Sequence, residues 1–222
     1  MGDAIGSMLV SAVGIAISPA ALIAVVLLLA TPRGRTNGPA FAAGWVVGLS
    51  GVVGLVVAAG AGLGGGSGRP TWAFWLRLAL GGVLVLLAAR QWRARPRAGH
   101  VTPPPRWMQA VDRFTAGRSF GLAVTLVVAK PKNLALAVGG AASVAASGAG
   151  PGGAAVAAAL MVVIGSLCTL LPLGVGLLGG SGAARLLGEW KAWTGAHNAA
   201  VTATVSAVLG VAYLGDALTG LS

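Results

Sequence analysis

Four consecutive residues, Lys130, Pro131, Lys132 and Asn133, stand in the middle of an apolar stretch that runs from Gly117 to Ala146. Their types suit the binding of something negative. Two ammonium groups can neutralise an anion, and the Asn133 amide can both donate and accept. A charge at a bilayer midplane costs about 2.5–3.5 kcal/mol on insertion scales, so such residues mark a functional site unless they snorkel out. Pro131 adds a backbone defect at the same depth, because it lacks the N–H that the preceding turn needs. On an unbroken helix Lys130 and Lys132 point about 200° apart, so both reach one site only if the chain breaks at Pro131. Asn133 has two readings: it satisfies the carbonyls that the proline frees, or it touches a ligand.

The elements that carry these residues are membrane helices. The chain has 222 residues, 56% hydrophobic and 9% charged, against about 25% charged in a soluble domain. Its apolar segments are too long for ordinary core helices. Six spans are predicted, near 5–30, 39–63, 72–91, 117–146, 151–180 and 199–220. Asp3 and the lack of a basic stretch before the first apolar run predict a retained span, not a cleaved signal peptide. The 37 glycines suit close packing, with Gly44 and Gly48, and Gly176 and Gly180, at GxxxG spacing.

A net charge of +11 invites a nucleic-acid reading, but the cations lie mostly in short loops beside spans, where topology explains them. Arg33 and Arg35, seven arginines from Arg90 to Arg118, and Arg185 with Lys191 fall on one side, against Arg69 on the other. The basic side is expected to be cytoplasmic, with both termini outward, in the plasma (inner) membrane. Residues 92–116 form the one sizeable polar loop. There Trp107, Met108, Val111 and Phe114 share a face, which fits either a helix lying on the inner leaflet or a solvated linker. Leu186, Leu187, Trp190 and Trp193 form a second amphipathic candidate before the last span, with Asn198 as its N-cap.

Spans 1 and 4 look alike. Ser18-Pro19 and Lys130-Pro131 each put a polar residue before a proline, with Leu22 and Leu134 three residues after it. Three spans per half would give the halves opposite orientations, and interrupted helices at matching positions of inverted halves point to a transporter site. The expected organisation is an all-α integral membrane protein of two inverted 3+3 repeats with proline-broken first helices, residues 1–91 and 117–222. These residues resemble the lysine-exporter superfamily and, within it, the peptidoglycolipid-addressing (sulfolipid-addressing) proteins. The resemblance implies export of a cell-envelope glycolipid or its precursor, beside a larger lipid exporter. It carries Ser18, Pro19, Lys130, Pro131, Lys132 and Asn133 as the matching substrate-binding positions. No central carboxylate is present, so cation export does not carry over.

The remaining polar residues offer less. Arg77 and Asp216 form an outer gate, or Arg77 snorkels outward. Cys168 has no partner for an internal disulfide and reads as packing. His197 has no metal-ligand cluster around it, and no catalytic set of serine, histidine and carboxylate exists. The expectation is therefore no enzyme, no cofactor and no metal. The expected partners are membrane lipids, with no nucleic acid and an open oligomeric state. The leading function is alternating-access export of an anionic or zwitterionic substrate. The alternatives are a non-transporting accessory subunit and an amino-acid-type exporter.

Overall fold

The computed structural model describes residues 2–63, 71–94 and 111–219. Its elements are helical: α1 Gly2–Ala16, α2 Pro19–Leu29, α3 Gly34–Leu63, α4 Thr71–Arg93, α5 Ala116–Val128, α6 Pro131–Ala145, α7 Pro151–Gly165, α8 Leu167–Leu178 and α9 Ala183–Thr219. Three helices are long and apolar enough to cross a membrane alone, and three bent pairs bring the number of candidate spans to six. The chain is a multi-pass membrane protein.

Two of the three bends sit at Xaa-Pro pairs. Proline disfavours the helical region for the residue before it and suits the first helical position after it. Ser18 (φ −116°, ψ 92°) and Lys130 (φ −84°, ψ 115°) are accordingly extended, and Pro19 and Pro131 open α2 and α6. The α1/α2 pair bends by 43° and the α5/α6 pair by 69°. The third bend, 54° between α7 and α8, falls at Ser166, six residues before the proline of that span. There the Trp45 indole of α3 donates to the Gly165 carbonyl at 3.2 Å, an insertion into the helical ladder at a Gly-Ser pair, two features that each favour a bend.

The core is built of Phe41, Trp45 and Leu49 from α3, Met8 and Ile15 from α1, Leu136 from α6 and Met161 from α7. α4 lies along α9, α3 lies along α5 and α6, and α7 lies along α1. Gly44 meets the Phe120 backbone so closely that any Cβ would strike it. Gly48 sits over Val124 in the same interface, as its GxxxG spacing predicts.

Three expectations change. Residues 183–219 form one helix, because no proline interrupts them and each glycine there costs only about 1 kcal/mol. The Leu186–Trp193 stripe is the start of α9, and Asn198 lies within that helix instead of capping a new one. Gly180 has φ +58° and stands outside α8, so its spacing from Gly176 is no helical GxxxG pair. Of the 92–116 loop, Pro103 to Met108 lie outside the described residues. Val111 is buried in a single 3-10 turn, and the Phe114 carbonyl accepts from Asn37 Nδ2 at 3.0 Å. These two residues dock on the protein.

Candidate functional site

A broken helix leaves carbonyls without their usual donors, and inside a membrane no water replaces them. Each break here borrows a side chain. At the first, Lys132 reaches from α6 and donates through Nζ to the Gly14 carbonyl at 3.0 Å and the Ile17 carbonyl at 2.7 Å. At the second, Asn133 Nδ2 donates to the Leu126 carbonyl, in the last turn of α5, at 3.0 Å. At the third the donor is Trp45, with Cys168 Sγ 3.5 Å from the same Gly165 oxygen.

The first two breaks share a cavity of about 170 Å³. Ser18, Pro19, Lys130, Pro131, Lys132 and Asn133, the sequence-predicted set, all line it. Two helices close the ring: Leu87 and Gln91 from α4, and Asn198, Thr202 and Ser206 from α9. Within this wall the two lysines differ. Lys132 is buried and committed to backbone oxygens. The side chain of Lys130, half-buried, makes no hydrogen bond or ion pair among the described residues. Two further residues of the lining, Asn133 and Ser206, each carry a buried side-chain oxygen (Oδ1 and Oγ) that has no partner. Leaving a buried polar atom unpaired costs about 1–3 kcal/mol, a cost that a side-chain shift toward a hydroxyl-bearing ligand in the cavity would relieve. Ser18 makes no side-chain capping bond to α2, so its hydroxyl is left to the cavity.

Side-chain contacts cross the other end of the bundle. Tyr213 of α9 lies against Gly139 of α6, where any side chain would collide with its ring, and its hydroxyl pairs with Ser11 Oγ of α1 at 2.6 Å. Arg77 of α4 donates to Ser143 Oγ of α6 at 3.2 Å. Asp216 is exposed on α9, and both it and Arg77 lie within electrostatic reach of Tyr213. Tyr213, which the sequence reading left out, supplies the contact across this end, and the contact shown for Arg77 is with Ser143. His197 is exposed, stacked on Trp193 and away from the cavity wall. No group of three or more metal-ligating side chains exists among the described residues.

Sequence reasoning also missed Thr202 and Ser206. The signal was available: Asn198, Thr202 and Ser206 recur every four residues, one polar stripe on an apolar helix. No curated protein and no solved structure matches the chain. The family model for Sap, sulfolipid-1-addressing protein, matches residues 8–219, which takes in both breaks and every residue of the cavity wall. The chain belongs to the Sap, sulfolipid-1-addressing protein family.

Proposed function

We propose that this protein exports an anionic lipid, or the precursor of one, by alternating access around its two proline breaks. The observation that carries the reading is the cavity at those breaks, lined by Lys130, whose ammonium has no partner among the described residues, and by Asn133 and Ser206, each with a buried oxygen that has no partner. Lys130 neutralises the head group. Asn133 and Ser206 accept from its hydroxyls, and Ser18 orients it. The family's link to sulfolipid addressing supports an envelope lipid as the cargo.

On this reading the arginine-rich end is cytoplasmic, and both termini face outward. Gln91 and Asn198 then stand at the cytoplasmic mouth, while the Tyr213–Ser11 pair closes the outer side. Transport requires the head group to bind the inward-facing and outward-facing forms differently. The packing of α3 on α5 and of α7 on α1, with α4 and α9 paired between them, supports a two-fold relation of inverted halves. The same layout is the ground for a wider kinship with lysine exporters.

A second reading has one observation in its favour. At about 170 Å³ the cavity is smaller than the roughly 300–1,000 Å³ of ordinary ligand sites. That size suits a head-group contact made by an accessory subunit that presents lipid to a larger exporter.

The test is thermal stability of the purified protein with soluble head-group anions, followed by flux into liposomes. A ligand that binds the folded state raises the melting point by mass action. The expected result is stabilisation by anionic head groups, lost in Lys130→Ala, with lipid movement by the protein alone. Head-group binding without flux selects the accessory role. No stabilisation by any anion overturns the site.

A further inference from the structure

The cavity at the breaks, lined mostly by polar residues, is only about 170 Å³ in volume. A second concavity lies between α1 and α9, about 410 Å³ in volume. Val10, Val13 and Ile17 form one wall, and Val205, Val208 and Leu209 form the other.

The two sites meet. Ile17 faces the groove and the next residue, Ser18, faces the cavity. Val205 faces the groove and Ser206 the cavity. Gly14, in the groove floor, offers its carbonyl to the same Lys132 that lines the cavity. Along α9 the polar stripe of Asn198, Thr202 and Ser206 gives way to the apolar pair Val205 and Leu209 on nearly the same face. Polarity therefore switches from head-like to tail-like at one level.

Dimensions agree with that. Leu9 and Ile17, at the two ends of the groove on α1, are eight residues apart, so the groove is about 12 Å long. One leaflet of hydrocarbon is about 15 Å thick. Apolar side chains exposed to lipid are ordinary in a membrane protein, but a concave apolar track of leaflet length that starts beside a polar pocket is not a generic lipid-facing surface.

We propose that the α1–α9 groove holds one acyl chain of a membrane lipid. This deepens the proposed function, on which it rests for the position of the head group, and it has its own readout. The probe is phosphatidylglycerol with a diazirine near the end of one chain, photo-crosslinked to the purified full-length protein and mapped by peptide mass spectrometry. The control position is Leu55 of α3, 72% exposed and outside the groove.

The expected result is labelling of residues 9–17 and 204–209 several-fold above Leu55, and saturable by unlabelled phosphatidylglycerol. Val208→Trp and Val13→Trp should each fill the groove. Their native side chains are 62% and 45% exposed, so neither replacement disturbs the core. Each should lower groove labelling several-fold and leave Leu55 unchanged. Equal, unsaturable labelling of groove and Leu55 overturns the proposal, as does groove labelling indifferent to both tryptophans. Glycerophosphoglycerol, the head group without chains, separates the two readings. If it fails to stabilise the protein while groove labelling stays saturable, the head-group assignment fails and the acyl-chain site stands. If it stabilises through Lys130 while groove labelling is unsaturable, the reverse holds.

Discussion

The two proline breaks are made alike and held differently. Ser18-Pro19 and Lys130-Pro131 each place an extended residue before a helix-opening proline, and each leaves carbonyls behind. The second break repairs itself: Asn133, three residues past Lys130, turns back to the Leu126 carbonyl. The first break has no such donor nearby. Ser18 makes no capping bond, and Gly14 and Ile17 depend on Lys132, more than a hundred residues away. A proline therefore makes a break, but a donor outside that turn decides what the break is coupled to. Pro131 opens the second helix, Asn133 settles it, Lys132 settles the first helix, and the Lys130 ammonium is left without a bond among the described residues.

Removing the long-range donor should have the largest effect. Lys132→Met keeps the stem of the side chain and leaves the buried Gly14 carbonyl and the part-buried Ile17 carbonyl unpaired, about 1–3 kcal/mol for the first and less for the second. The expected outcome is a marked drop in unfolding free energy, measured by denaturant titration in detergent micelles. A variant as stable as the parent would mean the first break does not need the second half. Trp45→Phe ranks next. It keeps an aromatic ring in the core and withdraws the indole N–H from Gly165, so about 1–2 kcal/mol should be lost. It tests whether the third break, which has no proline at its bend, is held by the same device.

Those two variants also mark where legibility in the sequence stops. The Lys130–Asn133 cluster, both proline breaks and the membrane class were readable, because charge, missing donors and long apolar runs are local properties of the chain. The bend at Ser166 was not readable, since the tryptophan that bonds the Gly165 carbonyl there is 120 residues away and the nearby Pro172 points to a different position. The unbroken α9 was misread because Asn198 resembles a helix start. Its polarity serves the cavity wall instead. The Tyr213–Ser11 pair joins opposite ends of the chain, a contact that no spacing rule anticipates. Which lysine holds backbone and which stays free also needed the fold, because both have the same chemistry and lie two residues apart.

Asn133→Leu should cost less than either, about 1 kcal/mol or below. It loses the bond to Leu126, but it also removes Oδ1, a buried acceptor that has no partner. Combined with Lys132→Met it sharpens the comparison between the breaks. If they are independent, the two losses add within about 0.3–0.5 kcal/mol in the unfolding titration. Because the two residues are neighbours, a modest interaction energy is expected from proximity alone, and only full additivity speaks clearly, by showing that the two breaks are held independently.

Lys130→Ala should move stability least, because no protein bond is lost and a half-buried, unpaired charge is removed. Its unfolding free energy should lie within about 0.5 kcal/mol of the parent. The same substitution should abolish stabilisation by anionic head groups, whereas Lys130→Arg should retain part of it, since the charge survives with altered geometry. That contrast separates the adjacent lysines by readout. Lys132 variants lose stability with or without ligand, and Lys130 variants lose only the ligand's contribution. If Lys130→Ala instead unfolds as readily as Lys132→Met, the free ammonium is a structural group, and the cavity between the breaks has no cation to offer an anion.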